Sequence, residues 1–141
     1  MPMISIQYAS LRPQPALAEV VAKGASALSA EILHKDPAVT AAVVEEIDPS
    51  AWFIAGKSLA QHRLAGFWLD IRIVEGTNTR EEKAAFVSAV FAKMNELIGP
   101  LHNESYVYVN EVRGDAYGYG GVTQNERYIT RKLTHAGKAA A

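Results

Sequence analysis

Residues 68–74 read WLDIRIV, in which Leu69, Ile71 and Ile73 alternate with Asp70 and Arg72. An alternation with a period of two predicts a β-strand that has one apolar and one polar face. The strand is followed by the turn-forming residues Gly-Thr-Asn at positions 76–78.

A helix is predicted directly after this strand. Thr79 and Glu82 have the spacing of a capping box, which satisfies the first backbone N–H groups of a helix. Gly99-Pro100 ends the helical pattern. The apolar stripe between these limits consists of Phe86, Val90, Met94 and Leu97. Residues 106–109 (YVYV) then predict another strand, so this half of the chain reads as β-α-β.

The first half has the same organisation: a strand over residues 3–9, a helix from about Pro15 to His34, and a strand over residues 40–47. The halves align without a gap when the first is shifted by 65 positions, so that Ile4 falls on Leu69 and Gly56 on Gly121. Such a match indicates a tandem repeat. We therefore predict an α/β (α+β) chain in which two β-α-β units form a four-stranded, mainly parallel sheet with both helices on one face.

The units are predicted to span residues 1–65 and 66–134, and residues 135–141 form a small, polar tail that we expect to be flexible. Four polar side chains of the predicted sheet face away from the helices: Ser5, Gln7, Asp70 and Arg72. This face is either solvated or a subunit interface. We favour the interface, in a homotrimer that arranges six β-α-β units in a ring.

Composition excludes several functional classes. The 14 basic and 15 acidic residues give a net charge of -1, which offers no bulk attraction to nucleic acid or to an anionic membrane. The absence of cysteine excludes disulfides and thiolate metal sites, and the four histidines show no ligand spacing, so no metal is predicted. No secretory signal and no membrane-spanning stretch is recognised, which leads us to expect a cytoplasmic protein.

Four segments of the second half resemble a known family: IRIVEG at 71–76, TREEK at 79–83, VNEV at 109–112 and YGYGG at 117–121. Together with Pro2 and the tandem repeat they resemble 4-oxalocrotonate tautomerase and its relatives in the tautomerase superfamily, over residues 2 to about 121. That resemblance implies a cofactor-independent enzyme whose general base is a proline at the mature amino terminus. Only the first half carries this base, because the shift places Phe67 on Pro2.

The resemblance also implies substrate-binding residues. Arg12 stands ten positions after Pro2, where family members have an arginine that binds a substrate carboxylate. Trp52 and Tyr117 occupy the two positions of the family's pocket aromatic, and we expect Trp52 to line the site. The hydroxyl of Tyr108 is a further candidate for orienting substrate or water. Lys57 is a weaker candidate for a nearby positive charge.

The proposed chemistry follows from elementary acid–base properties. A terminal amine ordinarily titrates at about 7.7–8.0, and burial or a nearby guanidinium disfavours its charged form. A neutral Pro2 amine could therefore take a proton from an enol oxygen and return it to carbon. Arg12 would hold a carboxylate by a bidentate pair. The sequence thus predicts keto–enol tautomerisation of a small anionic 2-hydroxy-dienoate or phenylpyruvate-like enol.

Two features differ from the family pattern and keep alternatives open. The position of a second arginine found in many members is taken by Ala41 in the first half and by Tyr106 in the second. If Met1 stays on the chain, the Pro2 nitrogen is an amide and cannot act as a base. A retained Met1 would favour a catalytically silent small-ligand-binding or scaffold protein. A third possibility is a decarboxylase or hydratase of the same fold, which would need a water-activating acid near Pro2.

Overall fold

The computed structural model describes residues 2–140, and the side chains of residues 2–137. The first β-α-β unit consists of β1 (Met3–Ala9), α1 (Leu17–Leu33) and β2 (Ala41–Glu46). A short hairpin of β3 (Phe53–Ile54) and β4 (Lys57–Ser58) and a single-turn helix α2 (Leu59–His62) follow. The second unit consists of β5 (Gly66–Val74), α3 (Arg80–Ile98) and β6 (Tyr106–Val112). The chain continues with the hairpin β7 (Gly118–Tyr119) and β8 (Val122–Thr123), and then with α4 (Gln124–Ala140).

The four long strands form one sheet in the order β2-β1-β5-β6. The two strands within each unit are parallel, whereas β1 and β5 pair in antiparallel fashion where the units meet. The predicted fold class is confirmed, with one refinement: the sheet is mixed, because the two units meet through the antiparallel pair of β1 and β5.

The strand register reflects the tandem repeat. Ser5 pairs with Asp70, and Asp70 is also the residue that the shift of 65 positions makes equivalent to Ser5. Ile4 pairs with Ile71 and Ile6 with Leu69, so the two partners of each pair exchange when the halves are exchanged. A pseudo-twofold axis therefore passes between β1 and β5 and relates the two units.

The helices of the two β-α-β units, α1 and α3, cover the same face of the sheet, as predicted. α1 and α3 pack against each other and against the apolar face of the strands. The largest fully buried side chains of this core are Tyr8, Phe67, Phe86, Ile4, Ile6 and Leu33. Burial of a large apolar side chain stabilises the fold by about 1.5–3 kcal/mol, so this single layer holds both halves together.

The opposite face of the sheet is open and more aromatic than predicted. Ser5 and Arg72 are exposed there, as expected for the polar face. The rings of Trp68, Tyr106 and Tyr108 lie beside them, with Tyr108 at a centroid distance of 6.1 Å from Trp68 and 6.0 Å from Tyr106. All three aromatic residues are exposed and form an aromatic cluster on this face, where Met3 and Val43 are exposed as well.

The repeat extends beyond the β-α-β units, as the match of Gly56 with Gly121 indicated. The hairpins in this region were not predicted from the sequence. The turns Ala55-Gly56 and Gly120-Gly121 both have two residues with positive φ, the geometry that suits a two-residue hairpin loop. A capping box opens the helix after each hairpin, formed by Ser58 with Gln61 and by Thr123 with Glu126.

The two helices after the hairpins differ in length. α2 ends after one turn, whereas α4 runs for 17 residues and includes residues 135–140 of the segment predicted as a tail. Among the described residues, none of the helices combines the length and the apolar character needed to cross a membrane.

Candidate active site

Pro2 lies in the wall of a cavity of about 460 Å³. Its side chain is buried, and its carbonyl accepts a 3.2 Å hydrogen bond from the backbone N–H of Ala41 at the start of β2. This bond continues the parallel β1–β2 ladder by one residue and fixes the amino end of the chain. The order of β1 and β2 in the sheet therefore holds Pro2 at the cavity.

A short 3-10 turn forms one side of the cavity. Asp36 caps this turn, because its side chain accepts a hydrogen bond from Ala38 N–H at 2.9 Å. The lining residues on this side are Ala38, Val39, Thr40 and Ala41. They are apolar apart from Thr40, so the wall nearest Pro2 offers no charged side chain. Ala41 stands at the position where the sequence resemblance implies a second arginine, and here it provides space instead of charge.

The C-terminal hairpin forms the facing wall through Tyr117, Gly118, Tyr119 and Gln124. The backbone N–H of Gln124 donates to the carbonyl of Tyr117 at 3.0 Å, which ties the start of α4 to the residue before β7. Gly118 is required at this crossing, because a Cβ atom there would lie 1.9 Å from the carbonyl oxygen of Val122.

Two polar atoms of this wall have no hydrogen-bond partner. They are the phenol oxygen of Tyr117 and the side-chain nitrogen of Gln124, and both are shielded from solvent. Burial raises the pKa of the Tyr117 phenol above its ordinary value, so the hydroxyl keeps its proton at neutral pH.

Arg127 lies behind the same wall, one helical turn after Gln124. Its guanidinium stacks on the ring of Tyr119, 3.7 Å from the centroid, and its Nη2 donates to the Tyr119 carbonyl at 2.6 Å. The Nε atom of Arg127 is buried and has no partner. A positive charge therefore sits close behind the cavity wall in the same chain as Pro2.

Arg12 does not line this cavity. It follows the far end of β1, where its guanidinium donates to the carbonyl of Gly99. A strand of seven residues with a rise of about 3.3 Å per residue separates the two ends by roughly 20 Å. Pro2 and Arg12 of one chain therefore cannot hold the same small substrate.

Trp52 and Tyr108 also lie elsewhere in the single chain. Tyr108 belongs to the aromatic cluster on the open face of the sheet. Trp52 lines a second cavity of about 600 Å³, together with Phe53, Ile54, Ala55, His102, Glu104 and Tyr106. Most of these residues are the equivalents of Pro2-cavity residues under the 65-residue shift, so the second cavity is the pseudo-twofold counterpart of the first.

This counterpart has no basic amine. Phe67 occupies the position equivalent to Pro2 and is fully buried in the core, within a continuous strand. Lys57 is exposed on β4 and does not line the Pro2 cavity. Within residues 2–137, no group of three His, Asp or Glu side chains is arranged to hold a metal ion.

Of the four sequence-predicted site residues, only Pro2 lines its cavity in the isolated chain. Tyr117, which stands with Trp52 at the pocket-aromatic positions implied by the resemblance, also lines this cavity. Gln124 was missed, because a single glutamine after an unpredicted hairpin carries no motif. The repeat alone could have indicated it, because Gln124 is a polar residue at the position equivalent to the buried Leu59.

No protein-family model and no curated protein matches this sequence. The fold, in contrast, matches solved structures over most of its length. Q0 fused 4-OT, a symmetric trimer, superposes with a TM-score of 0.74 at 16% identity and covers 89% of this chain and 98% of its own. Pt0534 inactivated by 2-oxo-3-pentynoate gives the same score and identity over 87% of this chain and 97% of its own.

A third match is the macrophage migration inhibitory factor-like protein of Entamoeba histolytica, with a TM-score of 0.71 and 16% identity over 86% of this chain and 97% of that protein. The chain therefore has the fold of the fused 4-oxalocrotonate tautomerase proteins, as the sequence resemblance implied. At this level of identity the similarity establishes the fold and leaves activity to be argued from the site.

Proposed function

We propose that this protein is a cofactor-independent keto–enol tautomerase in which Pro2 is the general base. The observation that carries the proposal is the burial of Pro2 in a largely apolar cavity, at the amino end of a strand in this fold. Such surroundings disfavour a charged amine and so keep a basic lone pair available near neutral pH.

In the proposed reaction the neutral Pro2 nitrogen takes the proton from the enol oxygen. The resulting electron pair is delocalised to carbon, and the prolinium returns the proton there, which gives the ketone without net consumption of any reagent. The substrate is a small anionic enol such as a 2-hydroxy-dienoate or phenylenolpyruvate. The cavity of about 460 Å³ is large enough for a molecule of this size.

The active assembly is proposed to be a homotrimer. The open sheet face carries an exposed aromatic cluster that a partner would bury, and two fused 4-OT proteins of the same fold are described as trimers. Association would also resolve the placement of Arg12, because an arginine that cannot reach Pro2 in its own chain could reach the Pro2 cavity of a neighbour. Trp52 and Tyr108 would have to contribute in the same way.

The test begins with the amino terminus. Intact mass spectrometry of the native protein should show that Met1 is removed. The processed protein should then ketonise phenylenolpyruvate, whereas a protein with an amino-terminal extension should not, because its Pro2 nitrogen is an amide. Equal rates for the two forms would rule out Pro2 as the base and favour the alternative of a catalytically silent ligand-binding protein.

A covalent probe gives a second readout. 2-Oxo-3-pentynoate inactivates the structurally similar Pt0534, and its activated alkyne can add to an amine nitrogen without a leaving group. We expect one adduct per processed chain, located on Pro2 by peptide mapping, and none on the extended protein. Labelling at lysine residues in place of Pro2 would contradict a basic Pro2 amine in the cavity.

A further inference from the structure

The partnerless polar atoms of this protein are concentrated at one place. In the part of the chain that the structure describes, four buried side-chain polar atoms have no hydrogen-bond partner. Three of them belong to the C-terminal hairpin and the first turn of α4: Tyr117 Oη, Gln124 Nε2 and Arg127 Nε. Buried polar groups are nearly always paired, so a cluster of exceptions beside a cavity requires a specific explanation.

The pseudo-twofold counterpart of this wall lacks the polar groups. The equivalents of Tyr117 and Gln124 are Trp52 and Leu59, and Leu59 is fully buried as a core residue. The same fold position is therefore satisfied by an apolar side chain in one half. Since the polar version occurs only at the cavity that contains Pro2, the fold itself does not require it.

The contact behind the wall, in contrast, is retained in both halves. Arg127 donates to the carbonyl of Tyr119, and its equivalent His62 makes a 2.8 Å contact with the carbonyl of Ile54. This contact is structural, because it fastens each hairpin to the helix that follows. The difference between the halves is that Arg127 adds a permanent positive charge at this place.

All three partnerless atoms can donate hydrogen bonds. An amide nitrogen and a guanidinium nitrogen are donors only, and the raised pKa of Tyr117 keeps its hydroxyl protonated. A carboxylate is acceptor-only and has several lone pairs, so it is the complementary group. The backbone bond from Gln124 to Tyr117 holds the two donors on one wall.

We propose that the Tyr117 hydroxyl and the Gln124 side-chain amide bind the carboxylate of the substrate beside Pro2, with Arg127 as a positioning residue that supplies positive charge from behind the wall. This donor pair takes the place of the second arginine, whose position is occupied by Ala41 in this chain. The inference rests on the proposed function for the identity of the enol, but the binding of the carboxylate can be tested without any reaction.

The binding experiment uses 3-phenylpropionate, an unreactive carboxylate with the carbon skeleton of phenylpyruvate, and isothermal titration calorimetry on the processed protein. Tyr117→Phe and Gln124→Leu should each weaken its binding about tenfold, the lower end of the loss expected for a hydrogen bond to a charged group. Tyr128→Phe is the matched control, because it removes a hydroxyl from an exposed tyrosine on α4.

Thermal unfolding separates a binding role from a structural one. Removing a buried hydroxyl that has no partner should leave the melting temperature unchanged or raise it, since the desolvation cost of that group disappears. Gln124→Leu should behave likewise, because the equivalent Leu59 packs well in the first half. Weaker binding at unchanged or higher stability is therefore the expected pair of results.

Several outcomes would overturn the inference. They are unchanged binding in both variants, an equal loss for the uncharged methyl ester of the probe, or failure of the wild-type protein to bind 3-phenylpropionate at all. The proposed function fails separately, if the processed protein binds the probe with the expected sensitivity to Tyr117→Phe but does not ketonise phenylenolpyruvate.

Discussion

At the residue scale, the burial of Pro2 makes its protonation state the variable that controls the proposed reaction. Only the neutral amine accepts a proton, so the rate of enol ketonisation should rise with pH through one ionisation and then level off. That ionisation should lie below the ordinary value of a terminal amine, about 7.7–8.0, because burial disfavours the charged form. Stopped-flow absorbance of phenylenolpyruvate across this pH range measures it.

Replacing the proline tests the same residue. Pro2→Ala should lose about 10²–10⁴-fold in rate, the usual contribution of a positioned general base, while some activity remains because the variant keeps a primary amine. Pro13→Ala, in the exposed loop after β1, is the matched control. A Pro2→Ala enzyme with wild-type rate and an unchanged pH profile would be incompatible with the proposed mechanism.

Glu111 is a structural residue, because its contacts join separate segments of the fold. Its carboxylate accepts from Lys83 at 3.0 Å and from the backbone of Gly76 at 3.4 Å, and the Lys83 bond is the main cause of its lowered pKa. The bond joins β6 to the start of α3, so its effect belongs to the fold and not to the Pro2 cavity.

The lowered pKa of Glu111 predicts a pH-dependent stability. A group whose folded pKa lies below its unfolded value of about 4.3 stabilises the protein above that value and loses the effect as the pH falls through the folded pKa. Glu111→Gln should therefore lower the melting temperature at pH 7 and lower it less near pH 3. Glu31→Gln, at an exposed position of α1, provides the comparison. A destabilisation of the same size at both pH values would show that charge is not the cause.

At the element scale, the hairpin of β7 and β8 connects the fold to the site, because it carries one wall of the Pro2 cavity. Gly118→Ala should disturb this hairpin, since the added Cβ would overlap the Val122 carbonyl at 1.9 Å. We expect loss of 3-phenylpropionate binding with the far-ultraviolet circular dichroism largely retained. Gly137→Ala, on α4 with open space around it, should instead stabilise the helix by about 1 kcal/mol.

The long elements were predictable from the sequence, and the short ones were not. Period-two alternation in β1 and β5 and the Thr79 capping box identified their elements because each signal is local. The hairpins have strands of two residues, too short for any periodicity, and Ala55 adopts a positive φ without being glycine. The cavity wall that contains Gln124 follows the second hairpin and was therefore not predicted either.

At the scale of the whole molecule, sequence spacing could not show which ends of the strands meet. Arg12 was assigned to Pro2 from its position in the family, yet β1 separates the two. The open face was predicted from Ser5 and Arg72. The aromatic cluster of Trp68 and Tyr108 was not, because it depends on β5 and β6 being neighbours in the sheet.

The oligomeric state provides the corresponding prediction. Multi-angle light scattering should give three times the chain mass of 15.3 kDa at micromolar concentration. Tyr108→Lys should shift the mass toward that of a monomer, because it places a charge in the aromatic cluster. The control is Lys23→Glu, on the exposed surface of α1 away from the open face. A wild-type protein that is monomeric would refute the proposed assembly.

Mixed trimers test whether Arg12 serves a neighbouring chain. Arg12→Ala and Pro2→Ala should each be impaired alone on phenylenolpyruvate. After co-refolding at equal amounts, roughly a quarter of the sites should combine an intact Pro2 with an intact Arg12 from another chain in a closed ring. Recovered activity of about this size supports the shared site, and no recovery assigns Arg12 a role confined to its contact with Gly99.

The pseudo-twofold axis between Ser5 and Asp70 also has an evolutionary consequence. In an assembly of identical single units, every substitution appears in all copies of the site at once. Fusion removes this constraint, because each half can mutate on its own while the shared core keeps its geometry. The second cavity, with Phe67 in place of the amine and Trp52 on its wall, is the product of that freedom. It is a duplicated pocket that lacks the amine and is available for selection toward another ligand.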